Sequence, residues 1–339
     1  MVRMRVIAAV TTLALRETFT IATGSADTED VAVVTLEHDG VVAYGEGAPV
    51  DYWGESAGAI AAAVEADGPA LLGDDLFAVQ RIAERLVAWD GPQGAKMALD
   101  GALHDWIGKT VGRPVWRLVG TDRVTPPTSY TIGIDTVEGT ARRARAAQGF
   151  EVLKVKVGGA ADLERLEAIR ELTDARLRVD GNQGWDLETA LELTPRLLEL
   201  GVEFLEQPFP VGDLDAFGAY RRSAPRLPVL IDEGCRDLRS VAPIAAYADG
   251  IVIKISKCGG IHEAVRMVAA ARALGLRVML GCMIESELGI AQAAQLASLV
   301  DHVDLDGHLL ISSRPFTGLG LQDGRLVLAD APGLGVVPA

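Results

Sequence analysis

Through the middle of the chain, short apolar runs alternate with longer polar and mixed stretches, and each run ends on a charged residue. The runs are EVLKVKVG, RLRVDGNQGW, GVEFLEQPFP, LPVLIDEG and GIVIKISKCGG, and the charged residues are Lys156, Asp180, Glu206, Asp232 and Lys254. These residues lie 24, 26, 26 and 22 positions apart. Such an interval holds one strand, one helix and two connections, so the pattern predicts successive βα units. SYTIGI precedes the series as another strand, and LRVMLGCMIES and HVDLDG follow as a seventh and an eighth. When such units close into a barrel, the C-terminal ends of all strands open onto one face, where active sites form.

The N-terminal part lacks this rhythm. VAVVTLEHDG and VVAYGEGAP read as two strands turning at His38-Asp39-Gly40, and three helical segments follow, at 53–66, 76–89 and 94–110. Strands followed by helices predict a separate α+β unit. The expected division is a capping domain at 1–122, a barrel at 123–312, and a C-terminal segment at 313–339 that packs back on the cap. The start, MVRMRVIAAVTTLALRE, has the early arginines and apolar stretch of a secretory signal. No small-residue cleavage site follows, and Arg16 and Glu17 close the run, so a first strand is expected. No run is long enough to span a membrane.

Composition narrows the functional classes. The 339 residues are 49% hydrophobic and 5% aromatic, enough for a barrel plus a smaller domain packed with aliphatic side chains. A formal charge of −15 argues against nucleic acid or an anionic membrane as partner. The three cysteines, Cys235, Cys258 and Cys282, show no metal-binding spacing, which fits a reducing, cytoplasmic compartment. No G-x-G-x-x-G opens a helix after a strand, which disfavours a nicotinamide cofactor. The sequence leaves a homo-oligomer open.

Asp180, Glu206 and Asp232 end three adjacent strands. Crowded anions resist ionisation, and a divalent cation with an oxygen shell removes that conflict, which points to Mg²⁺. Lys154 and Lys156 share one face of their strand, while Lys254 enters from across the barrel. A base on each side of a substrate permits removal of a proton from one face and its return to the other. Free lysine, with a pKa of about 10.4, needs a nearby cation or burial to act as a base. Asp304 and Asp306 lie two apart on the eighth strand and suit an ammonium group, although Asp306-Gly307 also reads as a turn.

In this order, K-V-K, D-G-N-Q-G-W, L-E-Q-P, I-D-E-G, K-I-S-K-C-G-G-I and G-C-M-I-E-S resemble the enolase superfamily and its muconate-lactonising subgroup over essentially the whole chain. The resemblance implies a (β/α)7β barrel with an N-terminal α+β cap, Mg²⁺ on Asp180, Glu206 and Asp232, and Lys156 and Lys254 as the acid/base pair. Within the subgroup, D-L-D-G and G-C-M-I-E-S resemble the dipeptide epimerases. That implies a dipeptide substrate inverted at the α-carbon of its C-terminal residue. It further implies that Asp304 and Asp306 hold the ammonium, that Thr131 and Cys282 line the pocket, and that Lys154 supports the carboxylate. Members acting on L-Ala-L-Glu often carry an arginine in a capping loop. The corresponding loop here, FTIATGSADTED, has no Lys or Arg, places Gly24 near that position, and brings Asp27, Glu29 and Asp30. A hydrophobic or cationic second residue is therefore expected.

Three alternatives stay open. An o-succinylbenzoate synthase or an N-acylamino acid racemase would share the lysines and metal acids but bind no free ammonium. An acid-sugar dehydratase would need a histidine after the seventh strand, where GCMIES has none. A barrel that binds without catalysis would be expected to have lost one of the five charged residues.

Overall fold

The computed structural model describes residues 4–159 and 161–339. Its N-terminal part is an antiparallel sheet of β1 (Arg5–Ile21), β2 (Gly24–His38) and β3 (Val41–Gly47). Helices α1 (Ala57–Leu72), α2 (Val79–Ala88) and α3 (Gln93–Val111) cover one face. The β2–β3 turn is the expected two-residue one, with Asp39 and Gly40 at φ 48° and 76°, as a type I′ turn requires. Helix α3 lies directly on β3 because Gly45 and Gly47 have no side chain. A Cβ on Gly45 would stand 2.0 Å from the Ala98 carbonyl oxygen.

The expected first strand is β1. The stretch 19–30, expected as a loop, is instead the tip of the β1–β2 hairpin, where Phe19 pairs with Ala26 and Ile21 with Gly24. Thr18 hydrogen-bonds Asp27 at 2.6 Å and Thr20 pairs with Ser25 at 2.8 Å, so polar cross-strand pairs hold a ladder that their composition disguises.

Eight parallel strands follow: Tyr130–Ile132, Val152–Lys156, Arg176–Asp180, Val202–Glu206, Val229–Ile231, Gly250–Lys254, Arg277–Gly281 and His302–Asp304. Each pairs with the next. The ring closes where the Ser129 amide donates to the Val303 carbonyl oxygen at 3.1 Å. Helices intervene between successive strands, giving the (β/α)7β barrel with an antiparallel cap.

Period 2 explains how core and site share the same strands. Inward positions alternate, so Phe204 lies below Glu206, Leu230 below Asp232 and Val252 below Lys254. Phe204, Leu230, Val252 and Met279 form one buried apolar layer. That layer plugs the barrel and leaves the charged residues above it facing the open end.

The last residues tie cap to barrel. Arg325–Val327 pairs antiparallel with Val124–Pro127, and the Leu334 amide donates to Asp105 of α3 at 2.8 Å. All three cysteines are free, and among the described residues no helix is long and apolar enough to cross a membrane.

Candidate active site

The charged strand ends meet on one floor. Lys154 and Lys156 project from the second strand, Asp180 from the third, Glu206 from the fourth, Asp232 just beyond the fifth, Lys254 from the sixth, and Asp304 from the eighth. All are buried. Lys156 Nζ donates to Asp180 Oδ2 at 2.6 Å and to Asn182 Oδ1 at 2.9 Å. Lys254 Nζ stands 2.9 Å from Asp232 Oδ2. Lys154 Nζ donates to Asp304 and lies 3.5 Å from both Asp180 and Glu206. Second and sixth strands are four apart in a ring of eight, so Lys156 and Lys254 face each other across the barrel.

Burial and charge set the protonation of this floor. Glu206 is fully buried, and neither of its carboxyl oxygens has a hydrogen-bond partner. Burial, then Asp180, push its pKa up to about 8. Burial acts against ionisation at Asp232 too, but Lys254 and Lys257 hold that carboxyl well below the usual range. On Lys254, burial favours the neutral amine, and Asp232 outweighs it, leaving the pKa well above the ordinary value.

Among the described residues no three acidic, His or Cys side chains already close on one point as a metal cage. Lysine tips lie between the carboxylates instead. The donor set nevertheless fits a hard divalent cation. Three carboxylates come from adjacent strands, and neither oxygen of the buried Glu206 has a hydrogen-bond partner, an arrangement that a cation relieves.

Above the floor is a cleft of about 240 Å³, roofed by the cap. Phe19, Ile21 and Thr23 of the hairpin tip, and Asp51 and Tyr52 beyond β3, line it together with Met283 and Ile284. The tip is seated on barrel loops: the Ile134 amide donates to the Thr20 carbonyl at 2.8 Å. A Cβ on Gly158 would meet Ala22 Cβ at 2.7 Å.

Every residue singled out from sequence lies at this end of the barrel, with differences of detail. Asp304 is not free, since Lys154 pairs with its Oδ2 and only Oδ1 lacks a partner. Asp306 lies past the strand, opening a short turn at Gly307–Leu309, and its Oδ2 accepts the Thr131 amide at 2.6 Å. Thr131 therefore fixes Asp306. Cys282 donates its thiol to the Asp304 carbonyl at 3.3 Å and is a wall residue.

Sequence reasoning missed Lys257, Asn182 and Glu233. Lys257 is buried, with Nζ 2.5 Å from Asp232 Oδ1. Its signal was the K-I-S-K spacing, which puts two lysines one helical turn apart. Asn182 donates to Glu233 Oε1 at 3.2 Å, linking the loops after the third and fifth strands. Both residues stand beside recognised acids in D-G-N and D-E-G.

Residues 3–120 match the family model described as Mandelate racemase / muconate lactonizing enzyme, N-terminal domain, and residues 136–339 match Enolase C-terminal domain-like. The chain is similar to the L-Ala-D/L-Glu epimerase of Bacteroides thetaiotaomicron, with 40% identity over 334 residues, 96% of this chain and 85% of that relative. It is also similar to a hydrophobic dipeptide epimerase of a Flavobacteria bacterium, 37% identical over 317 residues and 89% of each chain. Among solved structures, the dipeptide epimerase of Methylococcus capsulatus, complexed with Mg and L-Arg-D-Lys, matches with a TM-score of 0.92 and 34% identity. That match covers 98% of this chain and 99% of the other.

Proposed function

Because this chain belongs to the mandelate racemase/muconate lactonizing enzyme family of the enolase superfamily, we propose that it is a Mg²⁺-dependent dipeptide epimerase. In this reading it inverts the α-carbon of the C-terminal residue by proton transfer between two lysines. The observation that carries the reading is the opposition of Lys156 and Lys254 across a floor of three carboxylates.

Asp180, Glu206 and Asp232 would hold the cation. Bound there, Mg²⁺ would supply Lewis-acid stabilisation of the negative charge that loss of the α-proton leaves on the substrate. One lysine accepts that proton from its face of the α-carbon. The other, as an ammonium, donates a proton to the opposite face, and the centre inverts. Burial favours the neutral, basic form of Lys254, and Asp232 beside it favours the ammonium, so the two protonation states that the acid/base role needs are both supported there.

Asp304 and Asp306 would hold the substrate ammonium. Both are 2% exposed, and burial with Asp304 pushes Asp306 up to about 6, an environment that a cation stabilises. An N-acylated substrate would leave them without one. Incubation with Mg²⁺ and pooled L,L-dipeptides in D₂O, followed by mass spectrometry, tests the proposal. One deuterium at the C-terminal α-carbon is expected. Turnover of N-acyl amino acids with no labelled dipeptide would move the assignment to those relatives, and silence on both would favour a binding protein.

A further inference from the structure

The charge of the cleft is unbalanced on one wall. Glu29, Asp30, Asp51 and Glu233 line it in addition to the acids of the floor, and its only cations among the described residues are Lys154, Lys156 and Lys254. All three lysines are engaged by floor carboxylates. The wall acids have neutral partners: Asp30 accepts from Thr12 at 2.6 Å, Asp51 from the Tyr52 amide at 2.8 Å, and Glu233 Oε1 from Asn182 at 3.2 Å. Glu233 is only 7% exposed, and its other oxygen is buried with no partner.

These acids form one continuous wall. Partial burial, Asp51 and Asp30 all raise the pKa of Glu29. Glu29 and Asp30 belong to the hairpin, Asp51 lies beyond β3 and Glu233 beyond the fifth barrel strand, so the wall runs from the hairpin down to the fifth strand. In the ring of eight the fifth strand lies opposite the first, which carries Thr131, the residue whose amide holds Asp306. A dipeptide with its ammonium at Asp306 would turn its other residue toward Glu233 and Asp51, which line the same cleft. Phe19, Ile21 and Met283 line the same cleft and suit a methylene stem.

We propose that this wall is a subsite for a cationic side chain, lysine or arginine, on the residue being inverted; the assignment rests on the dipeptide epimerase reading. The ammonium or guanidinium would replace the missing counter-charge of Glu29, Asp51 and Glu233. A glutamate side chain would add a further anion there and is disfavoured.

The test compares kcat/KM for L-Ala-L-Lys, L-Ala-L-Arg, L-Ala-L-Met and L-Ala-L-Glu in the Mg²⁺-loaded full chain. Wild type should prefer the cationic pair to L-Ala-L-Met by about tenfold or more, with the difference mainly in KM and shrinking at high salt. The double variant Glu29→Gln/Asp51→Asn should cut that ratio about fivefold or more. Equal rates on lysine and methionine substrates, or an unchanged ratio in the double variant, would overturn the subsite while leaving the epimerase reading intact. Absence of exchange on every dipeptide would overturn both.

Discussion

In the proposed site, Glu206 would couple metal binding, pH and stability. Its carboxyl has no hydrogen-bond partner, and its pKa is raised from 4.5 to about 8. A raised carboxyl favours the fold in its protonated state. That contribution is complete below 4.5 and is lost as pH climbs through about 8. A divalent cation binds the ionised form and must displace the proton. The Mg²⁺-induced rise in Tm should therefore grow from about pH 6 to about pH 8.5, and Glu206→Gln should remove most of that growth. A Mg²⁺ effect independent of pH would contradict the burial argument. Such residues are legible in sequence because barrel strands end on the site, so a charge closing an apolar run has few other places to go. Lys257 was less legible, since a second lysine one turn later looks like a solvated helix face.

At the scale of elements, the least legible feature is the joint between cap and barrel. Glu46 of β3 is fully buried; its Oε1 accepts the Ser286 amide at 2.9 Å and its Oε2 accepts the Ser286 hydroxyl. Glu285 is buried close by, and a Cβ on Gly289 would stand 2.6 Å from an oxygen of each acid. Burial raises Glu46 to about 7, and burial with Glu46 raises Glu285 to about 8. Partners 240 residues apart leave no local signal in the chain. Both acids are raised, so stability again falls as pH rises through these values. With Mg²⁺ saturating, Glu46→Gln should shrink the loss of Tm between about pH 6 and about pH 9, because the pair can then never carry two charges. An unchanged slope would show that the charges of the two carboxyls do not influence one another. The hairpin tip was hidden for a different reason: Thr, Ser and Asp read as loop, yet cross-strand pairing decides strand formation.

At the scale of the molecule, the βα rhythm made the barrel legible, because strands buried on both faces are continuous apolar runs. The role of the last residues was harder to read from a stretch rich in Gly and Pro. Phe316, Leu326, Leu328 and Leu334 are buried in the main core, and Leu334 also anchors to Asp105. At about 1.5–3 kcal/mol for each buried side chain, their loss rivals the whole stability of a domain. A chain ending at Ser313 should be insoluble or lack a cooperative melt by circular dichroism. Melting at the full-length Tm would contradict this.

The opposed lysines are the central claim, and exchange of single isomers tests them most directly. Lys156→Ala and Lys254→Ala, each checked for a native melt, would be given a reactive L,L-dipeptide and its L,D epimer in D₂O with Mg²⁺. Neither variant should interconvert the epimers, and each should exchange the α-proton of one epimer only, the two variants choosing opposite ones. Interconversion by either variant, or exchange of the same epimer by both, would show that the two lysines do not serve opposite faces.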